Sequence, residues 1–481
     1  MAARSPKLFA GTRLRLLREK SGLSQAALAR SVGLSPSYLN QIEHDERPLP
    51  GRVMHRLCAL FAVGPGHFGD AEMLRGAHDL REVTADPMFG GTAVAAEEVH
   101  AAVQAAPEVA RRFLSLYRAY RAQAEELAAL RETGAAGAVA GGPAAAAAPY
   151  DEVRDWVQSH RNHFDALDRS AEDLFDRATF APATLREDLA RRLRAKHGIT
   201  VADDASLLEE GSVWRLERGA KRLLLAQGTP WESRVFWMAH ILGQLEYGPL
   251  IDREVRRASL STEEARSLAR VGLANYFAGA LMMPYRRFLT AAQETLYDVE
   301  RLQSRFNASF EQICHRLSTM QRPGLPGIPF FFVKTDIAGN VLKRSSATRF
   351  QFARFGGPCP LWNVYRAFAS PGQILVQLAT TPDDVTYVNV ARTVSGTGGF
   401  YLSRPRSVAV VLGCEVQYAT QTVYAAGLDL HSLQAAVPIG PGCRACERSG
   451  CRHRAVPPVG RALDVGTGER GVVPYRIRAL G

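Results

Sequence analysis

Apolar residues recur at helical spacing in short runs from the start of the chain, and polar residues fill the opposite faces. Leu8, Leu14, Leu16 and Leu17 mark a first helix that carries Arg13, Arg15, Arg18 and Lys20. In residues 24–43, SQAALARSVGLSPSYLNQIE, Ala27, Leu28 and Val32 form the inward stripe of a second helix, and Leu39 and Ile42 that of a third. Ser24 is placed as an N-cap, with Leu23 before it and Leu28 at helical spacing after it. Gly33 stands where the turn needs a positive φ. Ser35 caps the third helix, and Pro36 takes its first position, where a missing N–H costs nothing. Val53, Leu57, Leu60 and Phe61 pattern a fourth helix. Ser37, Tyr38, Asn40 and Gln41 face outward from the third.

Farther along, 71–91 reads as a connector with Pro and Gly breaks. Residues 92–133 are strongly helical, interrupted at Pro107. Phe113, Leu116, Tyr120, Leu127 and Leu130 fit a heptad seam with Gln123 as its polar departure. That seam suits either a dimerising helix or a helix packed on its own domain. Residues 134–149, GAAGAVAGGPAAAAAP, lack large apolar side chains and read as a flexible linker. Residues 150–320 are mostly helical, with helices at 151–164, 184–197, 231–245, 262–282 and 294–319 and a short β segment at 212–225. RPGLPGI, 322–328, marks a boundary. Beyond it, strands at 329–335 and 341–344 flank a hairpin turn at 336–340, further strands follow at 374–378, 386–393 and 407–411, and 361–368 and 418–424 are helical. The expected fold is multidomain, mainly α in its N-terminal two thirds and α+β at its C-terminal end. The expected divisions are 1–70, 71–133, 134–149, 150–320 and 321–481, the last a sensor domain.

At 481 residues the chain is too long for a single core. Its formal net charge is +11, and residues 1–66 hold ten Lys/Arg against four Asp/Glu. The first helices therefore carry much of the excess, as a phosphate backbone requires, although a coding bias toward Ala, Arg and Gly accounts for part of it. Residues 1–10 lack the apolar core of a signal peptide, and no run of about 18 apolar residues occurs. A cytoplasmic protein with no membrane partner is expected. Seven cysteines, an odd number in a long chain, argue against a disulfide framework.

A short helix with an amide-and-hydroxyl outer face suits the DNA major groove, where such groups read base edges. Residues 1–66 resemble the lambda-repressor-like (XRE/Cro) helix-turn-helix domain. The resemblance implies that Gln25 binds a phosphate, that Ser35, Pro36, Ser37, Tyr38, Asn40 and Gln41 lie along the groove of a double-stranded operator, and that Glu43 is structural. Such readers engage two half-sites about 34 Å apart, so a homodimer or homotetramer is expected.

Two later runs resemble ImmA/IrrE-type metallopeptidases. Residues 239–244, AHILGQ, stand where that family carries a zinc helix, H-E-x-x-H, whose histidines hold the metal and whose Glu activates its water. Only His240 survives: Ile241 replaces the general base and Gln244 the second ligand. In LANYFA, 273–278, leading to LMMP at 281–284, Leu273 stands in place of a metal-holding acid. One histidine cannot hold catalytic zinc. The expectation is a retained fold with no catalytic residue, hence no enzyme; the rival class is a peptidase that cleaves a repressor.

The sharpest chemistry lies in 438–458, PIGPGCRACERSGCRHRAVPP. Cys443, Cys446 and Cys451 are spaced C-x2-C-x4-C and can share one metal centre. Arg444, Arg448, Arg452 and Arg454 would lower the thiol pKa values and offset cluster charge. A [4Fe–4S] cluster would take a fourth ligand from Cys414 or Cys359, zinc would add His453, and three free thiols are the third possibility.

Over nearly its full length the chain resembles the short-chain fatty acyl transcriptional regulators. The order of its parts, LMMP at 281–284, GPCPLW at 357–362, YAAGLDL at 424–430 and the terminal cysteine run carry the resemblance. It implies a sequence-specific regulator of acetate and propionate genes, an acyl-CoA or CoA-type effector and, for a propionate-responsive member, an iron–sulfur cluster ahead of zinc. A redox sensor with the metal centre as sole input is the alternative.

Overall fold

The computed structural model describes residues 10–44, 46–61, 63, 70–89, 94–132, 149–348, 350, 359–396, 406–430, 432, 434–443, 446, 448–458, 463–465, 468 and 471–477. The chain divides into two compact units, Met1–Ala148 with Arg454–Gly481, and Pro149–His453.

The first unit opens with α1 (Gly11–Lys20), α2 (Gln25–Val32), α3 (Pro36–Glu43) and α4 (Gly51–Phe61). Leu14, Leu28, Val32, Leu39, Ile42, Val53 and Leu57 meet in one small core. The Ser24 hydroxyl accepts from the Ala27 amide and the Ser35 hydroxyl from the Tyr38 amide, each at 3.2 Å. These caps start α2 and α3 by satisfying amides that have no partner within the helix. A Cβ on Gly11 would stand 2.3 Å from the Ile42 carbonyl oxygen, so α1 meets α3 at backbone contact. Then come α5 (Asp70–Thr84), α6 (Ala96–Ala105) and α7 (Pro107–Glu132). Helix α5 occupies most of the stretch expected to be a connector. Ala77, Leu80 and Val83 give it a buried face, while Pro87 falls beyond its end. Pro107 opens α7, where its missing N–H is harmless. Helix α7 packs on α5 and α6, burying Ala110, Leu114 and Tyr117. The expected linker at 134–149 lies outside the described residues except for Pro149.

The second unit begins with α8 (Pro149–Ser159), α9 (Asp165–Arg177), α10 (Leu185–His197), β1 (Thr200–Asp204), α11 (Ser206–Glu209), β2 (Trp214–Glu217) and β3 (Arg222–Ala226). These strands make a sheet of order β1-β3-β2, with two strands and a turn where one β segment was expected. Two long packed helices follow, α12 (Trp231–Arg257) and α13 (Glu263–Met282), then α14 (Tyr285–Glu294), α15 (Val299–Phe306) and α16 (Phe310–Ser318). Helix α12 runs past its expected end at 245 and through Pro249. Ile251 and Val255 beyond the proline are buried, which offsets the ~3 kcal/mol that an interior proline costs. The helix expected over 294–319 is instead split at Asn307, whose φ is 48°. Ser309 and Gln312 then form a capping box that restarts it as α16.

The remaining elements are β4 (Phe331–Thr335), β5 (Val341–Ser346), α17 (Asn363–Ala369), β6 (Leu375–Thr380), β7 (Thr386–Ser395), β8 (Ser407–Glu415) and β9 (Val437–Pro438). They build a six-stranded sheet of order β5-β4-β8-β7-β6-β9. Two 3-10 turns, Val416–Gln421 and Val423–Ala425, stand where a helix over 418–424 was expected. Alternation along the strands sends successive side chains to opposite faces. Phe332, Val390, Val410, Leu412 and Cys414 join the helical core, whereas Phe331, Val333, Ala391, Ala409 and Val411 meet Val364 and Ala367 of α17 in a second one. The helical core is thus continuous across the division expected at 320/321. A final antiparallel pair, β10 (Leu463–Asp464) and β11 (Arg476–Ile477), belongs to the first unit. No helix among the described residues is long and apolar enough to cross a membrane.

Candidate nucleic-acid interface and metal centres

On α3, Leu39, Ile42 and Glu43 are buried, while Ser35, Pro36, Ser37 and Asn40 are exposed and Tyr38 and Gln41 half-buried. The helix is held from below by one carboxylate. Arg18 Nε and Nη2 donate to Glu43 Oε1 and Oε2 at 2.7 and 3.0 Å, and Gln25 Nε2 donates to Glu43 Oε2 at 2.9 Å. The same Gln25 amide reaches Asn40 Oδ1 at 3.0 Å. Gln25, expected to hold a phosphate, is therefore also a brace between α2 and α3. Charge-assisted, two-pronged bonds of this kind fix orientation as well as supply energy. Arg56 Nη1 donates to the Val32 carbonyl at 2.8 Å, and Gly33 holds the left-handed turn with φ at 69°. The Arg47 guanidinium lies 5.3 Å from the centre of the Tyr38 ring. Lys20, Arg30, Arg47, Arg52 and Arg56 are exposed. The role of Arg18 was not read from the sequence. Its signal was an arginine between the apolar positions Leu14 and Leu17 and the turn.

In the second unit, His240 and Gln244 sit one turn apart on α12. Gln244 Nε2 lies 3.0 Å from His240 Nε2, so the amide donates to the ring. His240 Nδ1 and Asn275 Oδ1 are buried without a hydrogen-bond partner. The rings of Trp214 and Trp237 pack 5.6 and 5.7 Å from the imidazole. Burial lowers the His240 pKa to about 4, only partly offset by Asn275, so the ring is neutral. Ile241 and Leu273 are buried apolar side chains where a zinc site needs carboxylates. The nearby interior holds a charged cluster that the sequence reading missed. Arg316 grips Asp168 with Nη1 at 2.9 Å and Nη2 at 3.0 Å, the Tyr276 hydroxyl donates to Asp168 at 2.6 Å, and Arg322 reaches Asp168 and Glu172 at 3.3 and 2.8 Å. Burial pushes the Asp168 carboxyl up, but Arg316 outweighs it and holds the group below the usual carboxylate range. The available signal was Arg316 at a core position of α16, between Ile313 and Leu317.

Cys446 is buried and Cys443 and Cys451 are half-buried. Arg448 pins the segment, donating to the carbonyls of Thr380 at 2.7 Å and Ile439 at 3.2 Å. Burial pushes the Cys359 thiol up; the Leu361 and Gly440 amides pull it down, and Cys446 and Cys443 push it further up. Cys359 thus feels the charge of two members of the motif. Gly440 also adjoins Cys446, since a Cβ there would stand 2.7 Å from its sulfur. Cys414 belongs to the helical core and Cys359 to the core on the other face of the sheet. His453 is exposed. Among the described residues no three or more His, Cys, Asp or Glu side chains are gathered to hold a metal ion. Cys443 and Cys446 act on Cys359, and thiols are the donors that a thiolate-held centre takes, whereas Cys414 lies in the core on the other face of the sheet.

Residues 10–68 match the family described as a helix-turn-helix domain, 194–318 the IrrE N-terminal-like domain, and 319–475 the short-chain fatty acyl coenzyme A regulator, C-terminal. The chain is 43% identical over 476 residues, 98% of its length and 100% of the relative's, to the HTH-type transcriptional regulator RamB of Mycobacterium tuberculosis.

The chain belongs to the short-chain fatty acyl coenzyme A regulator family.

It is similarly 44% identical over 474 residues to the propionyl-CoA carboxylase regulator of Cereibacter sphaeroides, covering 98% of this chain and 99% of that one. A solved Mycobacterium tuberculosis transcriptional regulator superposes with a TM-score of 0.65 at 42% identity, covering 68% of this chain and 99% of that one. The relatives of this family member are transcriptional regulators, and its helix-turn-helix is the part suited to DNA.

Proposed function

We propose that this family member is a cytoplasmic, non-enzymatic transcriptional regulator of genes for short-chain acid use. Two or more copies bind a double-stranded operator, and an acyl-CoA or CoA-type effector biases their affinity. The observation that carries the DNA reading is the exposed row Ser37, Asn40 and half-buried Gln41, oriented by Glu43 from beneath. Pro36 and Ser35 bring the N-terminal end of α3 toward a phosphate backbone, and the exposed arginines flank it. Each base contact there carries ~1–3 kcal/mol of discrimination. The names of the relatives support the acyl-CoA reading, since one is a propionyl-CoA carboxylase regulator.

Cys443, Cys446, Cys451 and Cys359 would hold a [4Fe–4S] cluster, with zinc as the alternative metal. Such a cluster, when bound, supplies a redox-sensitive centre. The chain's own part is to anchor the segment through Arg448 and to bring the Leu361 and Gly440 amides toward Cys359.

A gel-shift titration tests the reading. Gln41→Ala loosens base preference by about tenfold or more at one operator position, and propionyl-CoA shifts the affinity of the native protein. Unchanged preference in the variant and no response to acetyl-, propionyl- or free CoA would sink it. Iron and zinc analysis of anaerobically purified protein decides the metal, with iron and colour lost in Cys446→Ser.

A further inference from the structure

Strands β4 and β5 set two lysines against each other. Lys334 and Lys343 are register partners across the pair, and β5 is an edge of its sheet. The two ammonium groups have unequal surroundings. Lys334 Nζ takes both oxygens of Glu311 on α16, at 2.9 and 2.7 Å. Lys343 is left without a carboxylate. Among the described residues it makes no ion pair and no hydrogen bond, and its Nζ lies 6.0 Å from the centre of the Phe332 ring. The His315 ring meets the same Phe332 edge-on at 5.5 Å. Like charges directly opposite each other in a sheet are unfavourable, and one ring face compensates for little of what a charged amine loses on leaving water. Burial lowers the Lys343 pKa to about 8; Glu311 offsets part of this and Lys334 adds to it. His315 is itself held well below its ordinary range by burial, Lys343 and Arg316, so it is neutral and offers the amine no counter-charge. Arg316 is committed to Asp168. Lys343 is nonetheless half-buried rather than sealed.

We propose that Lys343 is a modification site, a nucleophilic amine that takes a short acyl group from an acyl-CoA thioester. The inference rests on the reading that an acyl-CoA is this protein's effector, and it adds a covalent outcome to that encounter. The amine nitrogen attacks the thioester carbonyl carbon. The N–C bond forms, the C–S bond breaks, the electron pair leaves on sulfur, and the proton lost by nitrogen ends on the free thiol. No oxidant or reductant is needed. Lysine is a nucleophile only as the neutral amine. With its pKa near 8, about a tenth of Lys343 is neutral at pH 7, against less than about one in a thousand for an ordinary lysine. The product suits the place better than the ammonium does. An amide sets no charge against Lys334, and an acetyl or propionyl group brings an apolar end to the Phe332 ring. Lys334 is no rival for the acyl group, because Glu311 stabilises its charged form.

The test is peptide mapping by mass spectrometry of the native full chain after incubation with propionyl-CoA over a range of pH. At pH 7, Lys343 should be propionylated about tenfold or more faster than Lys334 or the exposed, unpaired Lys221. Its rate should rise with pH and level off above about 8, where that of an ordinary lysine keeps rising. Free CoA, which has no acyl group, should label nothing, and Lys343→Arg should remove the fast-labelled site. The decisive comparison needs no variant, so it stands even if Lys343→Arg folds poorly. Labelling of Lys343 no faster than that of Lys221, or spread evenly over the exposed lysines, overturns the proposal. Operator affinity is measured on the same samples. No response to propionyl-CoA there counts against the effector reading and the inference built on it, whereas a response with Lys343 unlabelled counts against this inference alone.

Discussion

The outer face of α3 and the interior around Asp168 both consist of polar side chains on helices, yet they are opposite kinds of surface. On α3, Ser37 and Asn40 face solvent, and the clamp beneath, Arg18 to Glu43 to Gln25, spends its hydrogen bonds on aim rather than on a ligand. Around Asp168 every oxygen is taken, by Arg316, Arg322 and Tyr276, at 0–7% exposure. His240 is buried too, with two tryptophans against it and Gln244 on its Nε2, but its Nδ1 has no hydrogen-bond partner. A polar group acts on a partner only where the fold leaves its bonding capacity unspent. By that measure the outer face of α3, and not the interior around Asp168, is the surface open to a partner.

The contrast can be broken most severely from inside. Arg316→Met leaves Asp168 buried with its main cation gone and should cost about 3–5 kcal/mol of stability. Urea unfolding of the full chain reads this loss, and an unchanged midpoint would show that the cluster is not what holds α9, α13 and α16 together. Glu43→Ala comes next. It frees Arg18 and Gln25 at once, so the first unit should lose ~1.5–3 kcal/mol, and operator affinity should fall with it; full affinity in a destabilised variant would separate the clamp from the reading surface.

A smaller effect follows from pH. Burial holds the His240 pKa at about 4 against an ordinary 6.5, and burial also lowers His163. The unfolded chain therefore takes up these protons first. Stability is full above pH 6.5 and falls below it, by up to ~1.4 kcal/mol per pH unit for each such histidine, until the folded pKa is reached. His240→Leu should flatten this loss between pH 6.5 and 5, and urea midpoints with the same pH slope in both proteins would contradict it. Asp168 acts in the same direction at lower pH: its depressed carboxyl contributes stability that is present above an ordinary 3.8 and is lost in stronger acid. The smallest effect is on the open face. Ser37→Ala should change the melting free energy by less than about 0.5 kcal/mol while altering operator selectivity; a large stability loss would mean that the face is packed rather than read.

Much of this was legible in one dimension. Ser24, Gly33, Ser35 and Pro36 act through their own backbone neighbourhood, so local chemistry alone placed α2 and α3. That Ile241 and Gln244 stand where a zinc helix carries Glu and His was legible without coordinates. The connector at 71–91 was misread because Gly76 is carried inside α5 and Pro87 falls beyond its end, while buried Ala77, Leu80 and Val83 make a helix of what composition alone presents as a joint. Pro249 misled in the same way: long-range burial of Ile251 and Val255 overrides a local stop signal.

The sequence by itself therefore determined what depends on neighbours a few residues away: caps, turns, the polar outer row, the cysteine spacing and the heptad rhythm. The tertiary structure decided what depends on residues far apart along the chain. It matched Asp168 with Arg316, set Cys359 rather than Cys414 on the side of the sheet that answers to Cys443 and Cys446, and left Leu116 uncovered while burying Leu114. Burial and charge pairing are properties of distance in space, and periodicity along a chain reports only which face a side chain takes, not what meets it there.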